Sequence, residues 1–181
     1  MTVIGVVGLP ASGKGEFSEV AHEMGIPVVV MGDIVRQAVR EAGMELTDEN
    51  AGVISRRIRE EEGMDALARR TVPIIEARQN DPVVVDGIRG DAEVQVFRDQ
   101  FPNFILVAVE APFSVRLDRL RDRGREDITA TAADLARRDD RERGWGLDRA
   151  MAMADIVLDN SGSREEFREQ VRQLLLACGG V

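Results

Sequence analysis

The sequence is nearly devoid of three residue types on which much enzyme chemistry depends. Cys178 is the only cysteine, so neither an internal disulfide nor a cysteine cluster for zinc can form. His22 is the only histidine, which leaves little for serine- or cysteine-nucleophile chemistry that needs an imidazole base. Lys14 is the only lysine, and every other basic residue is arginine. No stretch approaches the roughly 18 apolar residues of a membrane span. The opening MTVIGVVGLP carries no basic residue ahead of its apolar run, unlike a secretory signal. The expectation is a cytoplasmic protein with no membrane partner. What remains is an ordinary globular composition, 181 residues with 44% apolar, enough for a core without staples or metal.

Charge is unbalanced, with 24 basic residues against 33 acidic ones and a formal net charge of −9. Acid excess with few lysines resembles proteins of salt-loving archaea, whose carboxylate surfaces stay hydrated in strong salt; a GC-rich genome, which favours arginine codons, is the other source of such a composition. The sign argues against general nucleic-acid binding. That argument weakens in molar salt, where the Debye length is about 3 Å.

Five short apolar runs punctuate the chain: Val3–Val7, Val28–Val30, Val83–Val85, Phe104–Val109 and Asp155–Leu158. Longer segments with helical spacing separate them. Continuous apolar strands alternating with helices predict a parallel sheet covered on both faces. Ser163 with Glu166 is a helix-start signal, followed by Phe167, Val171, Leu174 and Leu175 on one face. Two intervals exceed a simple crossover, about 31–80 and about 124–146. Thr47 with Asn50 starts a helix in the first, and Thr131 with Asp134 in the second. Both read as helical insertions in one domain spanning residues 1–181.

Residues 8–15 read GLPASGKG, directly after the first apolar run and before a helical stretch from Glu16 to Met24. The pattern G-x-x-x-x-G-K predicts a P-loop: Gly8, Gly13 and Gly15, with Ala11 and Ser12 between them, let backbone N–H groups curl round phosphate oxygens. The following helix turns its positive end toward the same anion. Lys14 supplies a mobile charge for the β and γ phosphates and is expected to be exposed until a ligand binds. ATP with Mg²⁺ is the ligand this predicts. Gly15 replaces the Ser or Thr that usually ligates Mg²⁺, so the ion would be held mainly through water. Glu16 follows, either capping the helix or orienting a metal-bound water.

Asp86 closes the third apolar run, where a second carboxylate of P-loop proteins holds Mg²⁺, directly or through water; an ordinary Asp-Gly turn is the alternative. Asp33 and Arg36 lie one helical turn apart, a fork suited to a phosphate or a plain surface pair. Arg89 comes three residues later at the carboxyl end of the same strand, where open α/β sheets bind ligands. Arg116, Arg119 and Arg123 share a helix face, with Asp118 and Asp122 near enough to make a solvated, salt-linked helix. Trp145, between two glycines, reads as a loop residue that packs the exit of the lid.

In order along the chain, GLPASGKG, MGDIVR at 31–36, VVVDGIRG at 83–90, DRLRDRGR at 118–125, RRDDRE at 137–142 and ADIVLDNSGS at 154–163 resemble the motifs of adenylate kinases. The last segment is similar to dephospho-CoA kinases as well. The combination looks most like an archaeal subfamily of adenylate-kinase-like proteins, a likeness that names no acceptor. Glu16 departs from that pattern, which has Thr there, and Arg89 sits one residue early. The resemblance implies a five-stranded parallel sheet with helices on both faces, an acceptor-side insertion and a short lid. It assigns Arg36 to the acceptor's phosphate, Arg119 and Asn160 to the adenine side, and Arg123 and Arg137 to the transferring phosphate, with Arg138 and Arg141 as close neighbours of the last.

The expected chemistry is direct in-line transfer of the γ-phosphate of Mg-ATP to a small phosphate-bearing acceptor. A nucleoside monophosphate comes first and dephospho-CoA second. The competing reading is an ATP-switched assembly factor with weak ATPase activity and a protein or RNA partner. The sequence has no basic tail or aromatic-basic stripe in its favour.

Overall fold

The computed structural model describes residues 1–123 and 131–179. Its elements run β1 (Thr2–Val7), α1 (Lys14–Glu23), β2 (Val28–Val30), α2 (Met31–Glu41), α3 (Asp48–Glu62), α4 (Ala66–Glu76), β3 (Val83–Ile88), α5 (Asp91–Gln100), β4 (Asn103–Glu110), α6 (Phe113–Arg123), α7 (Ala132–Gly144), α8 (Leu147–Ala152), β5 (Ile156–Asp159) and α9 (Arg164–Cys178). The strands form one sheet in the order β2-β3-β1-β4-β5, every pairing parallel. Each apolar run became a strand, and the first and third to fifth differ from their strands by one to three residues at an end.

Alternation along each strand feeds two cores. Val3, Val7, Val83, Val85 and Leu106 face α2, α3, α4, α5 and α8. Ile4, Val6, Val84, Val107 and Val109 face α1 and α9, chiefly Phe17, Val20, Phe167 and Val171. The result is a three-layer sandwich with buried strands, which is why the runs are apolar without alternation. The insertion after β2 contributes α2, α3 and α4. No helix among the described residues is long and apolar enough to cross a membrane.

The local start signals hold. Thr47 accepts the Asn50 backbone N–H at 3.1 Å, and Thr131/Asp134 and Ser163/Glu166 form reciprocal capping boxes. Long-range polar ties then fix α7 and α9. Arg164 and Arg168 on α9 pair with Glu16, Glu19 and Glu23 on α1, a ladder along two packed helices.

Arg116 is not on a solvated face. It is buried, donates twice to Asp139 of α7 at 2.9 and 2.8 Å, and reaches the Pro10 carbonyl at 3.1 Å. A bidentate guanidinium–carboxylate pair is the geometry that makes such burial tolerable. Removing one partner strands the other charge. Arg116→Ala is expected to cost about 3–5 kcal/mol of stability, read from denaturant unfolding. A paired Arg116→Met/Asp139→Leu variant should recover most of it; equal loss in both variants would contradict the ion-pair account.

Candidate active site

The loop between β1 and α1 is shaped by its backbone. Ala11 has φ 61° and Gly13 has φ 123°, with no positive φ at Ser12 between them. Such alternation curves successive N–H groups into an anion-binding concavity. A Cβ on Gly13 would lie 2.1 Å from Asn160 Nδ2, so a side chain there would meet a strained φ and displace Asn160 from the loop. Ser12 Oγ is buried with no hydrogen-bond partner, while nothing lies within 4 Å of where a Cβ on Gly15 would project. The concavity and this open approach fit a phosphate chain entering at the start of α1.

Asn160 and Arg119 brace the loop from behind. Asn160 Nδ2 donates to the Ser12 carbonyl at 2.8 Å, and Arg119 Nη1 donates to the same oxygen at 3.0 Å. Arg119 Nη2 reaches the Asn160 carbonyl and side-chain oxygens at 2.8 and 3.0 Å. Both residues also line an open cavity with Gly13, Glu16 and Arg164, on the side that the resemblance gives to adenine.

Lys14 is half-buried, contrary to the expected exposure. Its ammonium donates to the carbonyls of Gly8 at 2.6 Å and Leu9 at 3.1 Å, so the loop itself sequesters it. Burial lowers its pKa below the ordinary 10.5; the Glu142 and Asp86 carboxylates oppose that shift, and Arg89 and Arg138 add to it. Those influences place Lys14 among charges from β3 and α7.

Asp86 lies inside β3, not at its end, because the strand continues to Ile88. It is in register with Val6 on one side and Val30 on the other. Ser18, one helical turn beyond Lys14, donates to Asp86 Oδ2 at 3.2 Å. Gly87 then takes φ 99° at a register shift against β1, a bulge that re-aims the chain toward Arg89. Among the described residues no group of three or more His, Cys, Asp or Glu side chains could hold a metal. A Mg²⁺ at Asp86 would therefore complete its shell with phosphate oxygens and water. Glu16 makes no capping bond. Burial pushes its pKa up, but hydrogen bonds from Arg164 and Arg168 outweigh that and hold it below the ordinary 4.5.

On the acceptor side, Gly32, Arg36, Ser55, Gly87, Arg89 and Arg141 border a cavity of about 120 Å³. Arg36 bonds Asp33 Oδ1 through Nε at 3.0 Å and Nη2 at 2.6 Å. Arg89 donates to Glu142 at 2.6 Å. Trp145, buried, closes the cavity and stacks beneath guanidinium groups: Arg59 lies 4.4 Å from its ring centre, and Arg89 and Arg141 each lie 5.8 Å away.

The arginines of the expected lid divide. Arg137 is largely exposed and pairs with Asp134. Arg138 and Arg141 turn toward α3, reaching Asp48 at 3.6 and 3.4 Å, and it is Arg138 whose charge Lys14 feels. The side chain of Arg123 and residues 124–130 of the expected lid lie outside the described residues.

A family model described as an AAA domain matches residues 4–144. A UPF0200 protein of Methanoculleus marisnigri is 52% identical over 180 residues, covering 99% of this chain and 98% of that one. The chain belongs to the UPF0200 family. Two solved structures share its fold at low identity. A dephospho-CoA kinase from Campylobacter jejuni has TM-score 0.62 and 14% identity, covering 98% of this chain and 96% of its own. A gluconokinase from Sinorhizobium meliloti has TM-score 0.56 and 18% identity, covering 98% and 93%. This UPF0200 member thus has a P-loop kinase-like fold, related to archaeal proteins.

The parts played by four residues of this UPF0200 site escaped the sequence: Ser18, Arg116, Glu142 and Trp145. Ser18 had one available signal, its place a turn beyond Lys14. Gly13→Ala forces a positive φ on a Cβ that has no room. It is expected to cost about 1–3 kcal/mol of stability and to abolish calorimetric binding of Mg-ATP. Undiminished binding would show that the loop is not the nucleotide site.

Proposed function

We propose that this protein transfers the γ-phosphate of Mg-ATP directly to a small phosphate-bearing acceptor, first of all a nucleoside monophosphate, with dephospho-CoA next. The observation that carries the reading is the phosphate loop that leaves β1 and ends on Lys14, with Asp86 in the neighbouring strand β3 and Arg89 just past its end. The loop amides and Lys14 bind the donor phosphates, with Arg119 and Asn160 holding the loop's shape and lining the base side. Asp86, which accepts a hydrogen bond from Ser18, would hold a Mg²⁺, and that ion would supply charge neutralisation for the phosphate oxygens. Arg36 and Arg89 receive the acceptor's phosphate. An acceptor oxygen bonds the γ-phosphorus as the bond to ADP breaks, so the chain need only position and neutralise. Residues 1–181 act as one cytoplasmic unit, with 31–80 as the acceptor side and 124–146 as the lid. Within the lid, Arg138 joins Arg123 and Arg137 as a cation for the transferring group, because its field reaches Lys14.

A second reading rests on the acceptor cavity, whose roughly 120 Å³ falls below the roughly 300 Å³ at which sites for whole small molecules begin. The face between α3 and α7 already opens into a cavity of about 1020 Å³ bordered by Arg59, Arg138 and Trp145, yet a nucleotide fits wholly within the smaller one only if these helices part. If they part for a protein or RNA partner instead, the protein is an ATP-driven switch with weak ATPase activity. Comparing ATP turnover with and without acceptors separates the two: acceleration by a small acceptor supports the kinase, and indifference to every acceptor supports the switch.

Lys14→Ala should abolish turnover and cost about 1–3 kcal/mol of stability, since it removes one part-buried cation and its bonds to two carbonyls. Arg36→Ala should raise the acceptor KM about tenfold or more, the loss of a charge-assisted bond, with ATP affinity retained. Equal loss of ATP affinity would move Arg36 to the donor side.

A further inference from the structure

Glu142 is a buried carboxylate in the middle of the site that the transfer itself does not use. Its side chain is 3% exposed and accepts Arg89 Nη1 at 2.6 Å. Arg89 is held at two further points: its backbone N–H donates to Glu93 Oε2 at 2.7 Å, and its guanidinium carbon lies 5.8 Å from the centre of the Trp145 ring. The fixings come from α7, from α5 and from the residue that ends α7. A well-packed apolar residue would stabilise this position as well as an ion pair does. The charge of Glu142 is therefore better explained by the direction it gives Arg89 than by stability.

We propose that Glu142 is a positioning residue of the acceptor side, aiming Arg89 from α7 into the cavity bordered by Gly32, Arg36 and Gly87. This rests on the phosphotransferase reading. Holding Nη1 leaves the Nε and Nη2 edge of Arg89 for two parallel bonds to a phosphate. It also makes the acceptor site complete only while α7 is docked. Docking has its own anchors, the buried Arg116–Asp139 pair and the bridges from Asp48 to Arg138 and Arg141. Glu142 further supplies the largest charged influence on Lys14. An α7 out of place would release Arg89 and remove that charge from the neighbourhood of Lys14.

The test compares wild type, Glu142→Gln and Glu142→Ala in two assays, with melting temperatures as the control for folding. In the first, phosphate transfer is followed with the acceptor that supports turnover. Glu142→Ala should raise the acceptor KM about tenfold, the usual effect of losing an orienting partner, with the ATP KM within about twofold. Glu142→Gln keeps an oxygen for Arg89 and should recover part of that loss. The second assay needs no acceptor: inorganic phosphate is titrated in the presence of Mg-ADP and read by fluorescence of Trp145, the only tryptophan. Phosphate affinity should fall in the same order. A loss of kcat with unchanged KM, equal in both variants, would make Glu142 a proton acceptor and overturn the proposal. So would a rise of both KM values together with a lowered melting temperature. If no acceptor is turned over by wild type, the phosphotransferase reading fails by itself, and unchanged phosphate affinity in Glu142→Ala would still refute the role given to Glu142.

Discussion

The parallel pairing of β1 with β3 is the constraint on which the site depends. The register sets Val6 against Asp86, so the carboxylate sits beside the strand that feeds the phosphate loop. A slip of one residue would turn Asp86 to the other face of the sheet. Beyond Asp86, Gly87 absorbs the register shift at a positive φ, and the chain leaves the sheet carrying Arg89 toward the same opening.

Around this pairing, buried ion pairs connect the later elements to the ligand-facing end. Arg59 of α3 meets Glu93 of α5 at 2.7 Å, and Arg116 of α6 meets Asp139 of α7 at 2.8 Å. Burial pushes the Glu93 pKa up, while Arg59 and the Arg89 backbone N–H act to keep it charged. Such pairs contribute little net stability against an apolar replacement, yet breaking one is costly. Their value lies in fixed directions: each arginine is planar, held at two or more points, and set near Trp145 or the loop. Lys14 is the exception. A compact ammonium on a flexible stem can fold back on the Gly8 and Leu9 carbonyls and exchange them for phosphate oxygens, which a rigid guanidinium does poorly.

Much of this was legible in the sequence because it is local. Apolar runs marked the strands, and Thr131/Asp134 and Ser163/Glu166 marked helix starts through bonds spanning three residues. The loop motif is contiguous. What could not be read depends on distant partners. Arg116 finds Asp139 across 23 positions and Arg89 finds Glu142 across 53; in sequence, Arg116, Asp139 and Glu142 each look like one more charge on a solvated helix, and nothing local pairs Glu142 with Arg89. Trp145 is the loop residue expected, in the turn between α7 and α8; that three arginines stack on it was not legible, because they come from distant parts of the chain. Lys14 was expected in solvent because its carbonyl partners depend on the loop's tertiary curl. The resemblance to adenylate kinases supplied the arrangement of loop, insertion and lid, and the five-stranded parallel sheet agrees with it.

The most direct measurement of the central claim is transfer of label from γ-labelled ATP with Mg²⁺, in dilute and in molar KCl, to a panel of nucleoside monophosphates and dephospho-CoA, with Lys14→Ala as the blank. The expected result is one labelled acceptor well above the blank. ATP loss with every acceptor unlabelled, or labelling undiminished in Lys14→Ala, would contradict it.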